Sequence, residues 1–445
     1  MQQDLTQGSI RAGLIRFSLP LIAGNLLQQL YNVADTLIVG RFLGNVALAA
    51  VGSAFSLMIL LTSLVLGLCM GSGVVFSQLY GEGNMDKLKT AMTNAFCLIA
   101  ALSVLLTVLS YALLDAFIVL RVPPEAVPDI TSYLRVIFAG IFFTFLYNFF
   151  AAALRSVGNS FASLLFLLLS TVVNIALDLL FVLVLHRGVA GAALATVIAQ
   201  GLSAAGIALY FLFRLPELRP RRPNFRLDRP LLSRIASVSV LTSVQQSIMN
   251  FGILLVQRLV DSFGPVTMAA FAAAVKIDSF AYLPVQDFGN AFSTFIAQNY
   301  GAGDRERVHE SIHKGLLIHL TTSALFSVII FSGRYPMMHL FVGDDPTVIA
   351  IGAQVTALIA PCYVLSTLVE VLSSTMRGVG DAVVPAAITM VFTCIVRLIY
   401  LWGYAFSHNS NLTIAVIYPI SWVLTSIAFL LYYKSRKWMP KGFHF

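Results

Sequence analysis

The sequence predicts an all-α polytopic membrane protein with twelve transmembrane helices in two parallel six-helix repeats. Composition, long apolar runs and an internal repeat support this fold class. Hydrophobic residues make up 58% of the 445 residues and charged residues only 11%, and the mean hydropathy is +0.86. An average soluble domain carries about twice that charged fraction. The composition therefore favours a chain that lies mostly within a lipid bilayer.

A helix needs about 20 mainly apolar residues to cross roughly 30 Å of hydrocarbon. We count twelve such runs. They start near Ala12, Val46, Leu88, Thr131, Phe161, Val189, Ile235, Thr267, Val308, Thr347, Val383 and Leu412. A transmembrane barrel is excluded, because its strands alternate apolar and polar residues over about 10 positions.

The chain repeats itself at a spacing of 220 to 222 residues. The segment SQLYGEGNMDKLKTA from Ser77 recurs as AQNYGAGDRERVHES from Ala297. Further matches pair Val46, Ala49, Ala50, Pro124, Arg155 and Gly158 with Val266, Ala269, Ala270, Pro346, Arg377 and Gly380. Six spans per half leave both halves in the same orientation, so the axis relating them runs along the membrane normal and a V-shaped cleft is expected between them.

We expect three segments: an amino-terminal lobe over residues 1–213, an Arg-rich linker over residues 214–234 and a carboxy-terminal lobe over residues 235–445. Twenty of the 28 Lys and Arg residues fall on one predicted side. Five fall on the other: Arg41, Arg121, Arg187, Arg258 and Arg334. The positive-inside rule then places both termini in the cytoplasm and the chain in the inner membrane. It accounts for the net charge of +8 without nucleic acid, and the linker is expected to lie against anionic headgroups.

Polar residues form one stripe on the first predicted helix: Gln28, Tyr31, Asn32 and Asp35. The fifth helix carries Asn174 and Asp178, four residues apart and hence on one face, and Thr196 in the sixth helix adds a hydroxyl. A carboxylate in hydrocarbon is costly and usually marks an ion or proton pathway. These oxygen donors suit a small cation such as Na⁺ and suit a proton equally well. In the alternative, Asn174 and Asp178 are packing groups that satisfy each other.

The second half does not repeat this chemistry. The positions matching Asp35, Asn174 and Asp178 hold apolar or aromatic residues, near Ile253 and at Val396 and Tyr400. It carries Lys276, Asp278 and Glu370 instead. These three, together with Asn148, Gln28 and Tyr31, are candidate cleft residues, although Lys276 with Asp278 or Glu370 could equally form a structural ion pair. Pro20 shares a helix with Asp35 and is the candidate hinge, because proline removes a backbone hydrogen bond.

Several motifs resemble those of the MATE family of multidrug and toxin extrusion antiporters. They are the run LPLIAGNLLQQLYNVADTLIVGRFLG, the QLYGEG and QNYGAG loops, and the ALRSVGNS and TMRGVGDA pair. The resemblance covers nearly the whole chain. It implies alternating access, with Asp35, Asn174, Asp178 and Thr196 matching the cation site of DinF-like members and Pro20 matching the bend in their first helix. NorM-like members also use acids in the seventh and tenth helices, where this chain offers Gln245, Gln246 and Glu370.

We therefore predict a monomeric, ion-coupled secondary antiporter, driven by H⁺ or Na⁺, that exports small organic cations or amphiphilic drugs. A lipid-linked intermediate flippase of the wider superfamily is the alternative. No ATP-binding loop is present, and we expect no enzyme activity, cofactor, disulfide framework or catalytic metal motif.

Overall fold

The computed structural model describes residues 3–121, 127–261, 264–405 and 411–440, and these ranges contain helices and no strand. The first half forms α1 (Ile10–Leu43), α2 (Asn45–Gly81), α3 (Met85–Ala112), α4 (Leu114–Arg121), α5 (Val127–Ser156), α6 (Ser160–Asp178) and α7 (Gly188–Arg214). The second half forms α8 (Arg229–Asp261), α9 (Pro265–Gly301), α10 (Arg305–Val342), α11 (Pro346–Ile359), α12 (Tyr363–Val379), α13 (Val383–Ile388), α14 (Val396–Tyr400) and α15 (Asn411–Lys434). The all-helical prediction is confirmed.

All twelve predicted segments begin inside helices, and eleven helices within the described ranges are long and apolar enough to cross a membrane. The segment that starts near Ile235 is the exception. It lies in α8, whose 33 residues are long enough, but Thr242, Ser243, Gln245 and Gln246 lower its apolarity. The short helix α4 was not predicted.

The internal repeat is visible in the backbone. Gly83 and Gly303 adopt φ of 71° and 74°, and Gly158 and Gly380 adopt φ of 80° and 100°, so each repeated glycine occupies the left-handed region that other residues avoid. Asn84 and Asp304 cap α3 and α10 in the same way, accepting from the backbone N–H three residues later at 3.1 Å and 2.9 Å. Of the repeated positions, Pro124 and the side chain of Ala49 lie outside the described residues. The side chains of Arg121 and Arg258, two of the five basic residues predicted on the outer side, also lie outside them.

The chain forms two compact units whose boundaries fall within helices. The first unit comprises residues 1–4 and 19–247, and the second comprises residues 5–18 and 248–445. The first nine residues of α1 therefore belong to the second unit, and α8 belongs to the first unit as far as Ser247.

The first unit packs around α5. The rings of Phe76, Phe96, Phe145 and Phe149 form edge-on and tilted contacts with centroids 5.2 Å to 6.0 Å apart. Such offset aromatic pairs are favourable beyond the area they bury. In the second unit, Phe271, Ile277, Tyr363 and Trp422 belong to one buried cluster of α9, α12 and α15.

Small residues join α2 and α8 within the first unit. Ser72 and Ser239 hydroxyls lie 2.9 Å apart, and Ser243 Oγ donates to the carbonyl of Leu64 at 2.8 Å. A Cβ added at Gly71 would lie 2.5 Å from the Cα of Ser239. Glycine at this position therefore lets the two backbones approach closely, a common device in membrane helices.

Candidate cation and proton site

Three helices of the first unit bring the predicted polar residues together. Helix α6 places Asn174 and Asp178 one turn apart, with exposed fractions of 2% and 0%. Helix α7 contributes Thr196, which is 3% exposed, and α1 contributes the half-buried Tyr31 and Asp35. The structure thus brings the four predicted coupling residues onto three helices of one unit.

Thr196 connects the three helices through its hydroxyl. Its Oγ1 donates to the carbonyl of Ala192 at 3.1 Å, within α7. The same oxygen lies 3.1 Å from Tyr31 Oη and 3.3 Å from Asn174 Nδ2. Because the Thr196 proton is used within its own helix, its oxygen accepts from both neighbours. This arrangement fixes the amide of Asn174, since Nδ2 must be the atom that faces Thr196.

The carboxyl groups of Asp35 and Asp178 lie within hydrogen-bonding reach of each other. Two ionised carboxylates are both acceptors, so such a contact requires a proton on one of them. Buried oxygens without a donor in the described structure converge here: Asp35 Oδ1, Asn174 Oδ1 and both oxygens of Asp178. None of the ion pairs among the described residues involves either carboxylate. The cluster can therefore hold a proton or a small cation with oxygen ligands.

Tyr133 on α5 was missed in the sequence. It is 4% exposed and lies close enough to Asp35, Tyr31 and Asp178 to interact with them electrostatically. Its hydroxyl is a second phenol beside the carboxyl pair. A polar group within the apolar run from Thr131 was the available signal, but an isolated tyrosine in a membrane helix is common enough to be overlooked.

Asp178 is the last residue of α6, and a π-helical turn, Leu179–Val184, follows it directly. The repeat position Tyr400 ends α14 and is likewise followed by a π-helical segment, Leu401–Ala405. π-helical turns often occur at functional sites because they re-aim neighbouring side chains. No feature of the sequence predicted them.

Three other residues predicted from the sequence, Gln28, Asn148 and Pro20, take no part in the hydrogen bonds of Thr196 described above. Gln28 is exposed, and Asn148 is half-buried and donates from Nδ2 to the carbonyl of Thr144 at 2.8 Å. Pro20 lies within α1, which is continuous through it. The boundary between the units falls between Ser18 and Leu19, directly before this proline.

The second unit contains a different polar cluster. Asp278 on α9 is half-buried and hydrogen-bonds to the Tyr363 hydroxyl. Arg397 is 8% exposed; its Nε donates to Ser421 Oγ at 2.9 Å, and its guanidinium lies 4.4 Å from the centroid of the Tyr418 ring. The polar groups of this unit therefore include a permanent cation, Arg397. Among the described residues, no ion pair supplies a cation to the carboxyl groups of the first unit.

Glu370 forms a structural pair with a partner that the sequence did not identify. Its Oε1 accepts from Arg377 Nη2 at 3.3 Å, and the same nitrogen donates to Ser374 Oγ at 2.9 Å. Lys276 is exposed, and none of the three ion pairs among the described residues includes it. The repeat relates Glu370 to Asn148, so each half carries a polar residue at this repeat position.

The expectation that the chain lacks a metalloprotease motif was wrong at the level of the sequence. His309, Glu310 and His313 form H-E-x-x-H at the start of α10, and the two rings have centroids 4.6 Å apart. Glu310 instead pairs with Lys314 at 2.5 Å, and the described residues contain no group of three or more metal-ligating side chains. A zinc protease requires a third ligand, so the motif fits an exposed helical turn better than a catalytic centre.

Comparison with known proteins agrees with the fold. The MatE family matches residues 20–180 and 241–402, one match for each half of the repeat. The chain is 27% identical to the probable multidrug resistance protein YpnP of Bacillus subtilis (strain 168), over 98% of this chain and 97% of that protein. It is also 27% identical to a FAD transporter of Shewanella oneidensis, over 81% of this chain and 80% of that protein.

Solved structures share the fold at lower identity. A multidrug resistance MATE family transporter of the MOP superfamily, in an outward-facing conformation, has a TM-score of 0.90, with 23% identity and 97% of each chain covered. Since the family match spans both repeats, the chain belongs to the MatE family and is a membrane transporter.

Proposed function

We propose that the protein is a secondary antiporter that couples entry of H⁺ or Na⁺ to export of small organic cations or amphiphilic drugs by alternating access. Relatives named as multidrug resistance or multidrug export proteins support the export direction and the class of cargo. No cofactor is required, because the ion gradient supplies about 2.3 kcal/mol per charge for each 100 mV.

The coupling site is the cluster of Asp35, Asn174, Asp178 and Thr196. The single observation that carries this assignment is the buried carboxyl pair, whose oxygens lack any cationic partner among the described residues. Such a pair is stable only with a shared proton or a bound cation, so its occupancy follows the ion concentration on the side to which it is open.

Occupancy of the site changes the first helix. A proton or Na⁺ at Asp35 and Asp178 removes the repulsion between α1 and α6, while the Tyr31 hydroxyl joins α1 to Thr196 on α7. Tighter association of this part of α1 with α6 and α7 would bend the helix at Pro20, where one backbone hydrogen bond is already missing. The bend changes the surroundings of Tyr31 and releases the cargo. Candidate cargo contacts are Gln28, Tyr31 and Asn148 in the first unit and Lys276 and Asp278 in the second.

A liposome assay tests the coupling. A pH gradient and a Na⁺ gradient are imposed separately on proteoliposomes that contain a fluorescent cationic dye, and efflux is followed with each. Asp35→Asn and Asp178→Asn are expected to abolish efflux driven by the coupling ion. Asp115→Asn, which neutralises an exposed carboxylate of α4, is the matched control and should transport normally. Full activity in both site variants would contradict the assignment.

The same assay separates substrate classes. A lipid-linked intermediate flippase, the alternative function, would complement envelope synthesis without moving dye. The FAD transporter among the relatives makes FAD a useful anionic substrate in the panel. We further propose that the protein works as a monomer in the inner membrane with both termini in the cytoplasm, on the basis of the Lys and Arg distribution.

A further inference from the structure

The Arg-rich linker is folded onto the first unit. Two short 3₁₀ turns, Pro216–Leu218 and Arg222–Asn224, shape it, and Leu215 and Leu218 are 5% and 0% exposed. The linker therefore has a defined inner side, although its four prolines and seven arginines suggest a simple tether.

Two asparagines hold the linker backbone on α3. Asn224 is 6% exposed, and its Nδ2 donates to the carbonyl of Asp86 at 3.3 Å while its Oδ1 accepts from the N–H of Arg221 at 2.9 Å. The amide of Asn94, oriented to satisfy both neighbours, donates to the carbonyl of Arg226 at 3.1 Å and accepts from the N–H of Asp228 at 3.2 Å. Residues 221–228 are thus tied to the first turns of a membrane helix.

The outer side of the same segment combines large apolar side chains with arginines. Phe225 and Leu227 are 68% and 66% exposed. The exposed cations beside them are Arg221, Arg222, Arg226 and Arg229. Hydrating two large apolar side chains costs about 1.5–3 kcal/mol each relative to burying them. A surface of this kind fits the boundary of a bilayer, where rings enter the acyl region and guanidinium groups meet phosphates.

The helices to which the linker is attached place its outer side at the boundary of the bilayer. The linker continues from the last residue of α7, Arg214, and rests on the first turns of α3, and both helices are candidate membrane spans. Phe213, at the end of α7, is 74% exposed and extends the apolar side. A segment fixed at the ends of two spans lies beside lipid headgroups.

We propose that the linker is a binding site for anionic phospholipids: Phe225 and Leu227 insert among acyl chains while Arg221, Arg222 and Arg226 bind the headgroup phosphates. Because Asp228 caps α8, with Oδ1 accepting from the N–H of Leu231 at 3.1 Å, the bound lipid fixes the start of that helix. Transport therefore depends on anionic lipid. This inference is independent of which ion drives the transporter.

The binding test uses the full-length protein in detergent, titrated with dioctanoyl phosphatidylglycerol. A tryptophan introduced by Phe225→Trp reports insertion as a blue shift, after subtraction of the wild-type signal from the three native tryptophans. Saturable binding is expected, and dioctanoyl phosphatidylcholine should not compete for the site. In the same Phe225→Trp background, Arg221→Gln, Arg222→Gln and Arg226→Gln together should weaken binding roughly 100-fold, since each basic side chain near an anionic surface contributes about fivefold.

Three controls make the outcome decisive. The Lys434→Gln, Arg436→Gln and Lys437→Gln triple variant, made in the reporter background, loses the same charge from exposed residues outside the linker and should bind normally. Leu227→Ser keeps every charge and every Asn224 contact, and it should lose acyl insertion even if the triple arginine variant folds poorly. Glycerol phosphate carries the headgroup without acyl chains and should not bind measurably.

Transport supplies the second readout. Efflux by the wild type should rise several-fold as phosphatidylglycerol replaces phosphatidylcholine in the liposomes, and this rise should be lost in Leu227→Ser and in the arginine variant. Equal lipid dependence in all variants, or an equal loss in the Lys434, Arg436 and Lys437 control, would overturn the proposal. Glycerol phosphate binding as tightly as the lipid would make the site one for free anions and would also overturn it.

Discussion

At the scale of single residues, the Thr196 oxygen connects three helices of the first unit. It accepts from Tyr31 and Asn174 while its own proton is used by Ala192. Each such hydrogen bond contributes about 1 kcal/mol, and leaving buried partners unsatisfied costs more. The consequence is that a residue without charge sets the geometry of a charged site.

Thr196→Val should therefore impair coupling while keeping the side-chain volume. We expect efflux at a fixed gradient to fall about 30-fold, because two hydrogen bonds of about 1 kcal/mol each are lost. Thr196→Ser, which keeps the hydroxyl, should restore most of the rate. Proteoliposome efflux with matched protein amounts measures both variants, and normal transport by the valine variant would contradict the role of the hydroxyl.

Glu370 poses the opposite case, a charged residue whose role is structural. Its partner Arg377 has a side chain that is only 7% exposed. Removing one member of a buried pair leaves the other charge uncompensated and typically costs 3–5 kcal/mol. Glu370→Gln should lower the thermal unfolding temperature clearly, and adding Arg377→Met should recover part of the loss.

The control for this pair is Glu306→Gln, an exposed carboxylate at the start of α10. It should leave the unfolding temperature unchanged. If Glu370→Gln were as stable as the wild type but failed to transport, Glu370 would be a cargo or coupling residue instead.

At the scale of whole helices, α2 packs so closely on α8 that no side-chain atom fits between them at Gly71. A Cβ at Gly71 would meet the backbone of Ser239, which cannot move aside as a flexible side chain can. Gly71→Ala is therefore expected to destabilise the protein by about 3 kcal/mol, the upper end for overpacking. Gly52→Ala in the same helix, with nothing within 4 Å of the new Cβ, is the control and should not destabilise the protein, since alanine favours a helix interior. Fluorescence-detected size exclusion after heating measures the difference; equal melting of the two variants would show that the helices can separate freely.

A substitution at Pro20 in α1 should stabilise the protein, whereas the substitution at Gly71 should destabilise it. Pro20→Ala restores the missing backbone hydrogen bond and should raise the unfolding temperature, since proline in a helix interior costs about 3 kcal/mol relative to alanine. If α1 bends during transport, the same change should slow efflux. Faster or unchanged efflux in a stabilised variant would remove Pro20 from the mechanism.

At the scale of the whole molecule, the two units do not coincide with the two sequence repeats. Residues 5–18 are part of the second unit, and α8 up to Ser247 is part of the first. A fragment that ends at residue 213 therefore lacks helix surface that its unit requires. Expressed alone, residues 1–213 and 235–445 should each aggregate or be degraded, whereas a chain split between Arg222 and Pro223 and expressed as two pieces should reassemble. Stable, monodisperse single fragments would contradict this expectation.

Much of this architecture could be predicted from the sequence, because hydrocarbon thickness fixes the length of apolar runs and the repeat fixes their grouping. The cluster of Asp35, Asn174 and Asp178 was predictable for the same reason: a costly polar residue stands out against lipid. The pairing of Glu370 with Arg377, the electrostatic interaction between Tyr133 and Asp35, and the π-helical turn after Asp178 were not predictable. They depend on how helices rotate against each other, which periodicity does not determine. No local sequence pattern predicts the exchange of helix ends between the units, in which residues 5–18 join the second unit and the start of α8 joins the first.

That exchange also imposes an order on biosynthesis. Leu5 is almost completely buried, and its carbonyl accepts from Asn299 Nδ2, a residue 294 positions later in the chain. At translation rates of about 5–20 residues per second, Leu5 waits roughly 15–60 s for the residue that its carbonyl binds. During that interval the Leu5 side chain, which ends up buried, lacks the neighbours of its folded unit. Residues 5–18 are thus made well before the rest of the unit in which they fold.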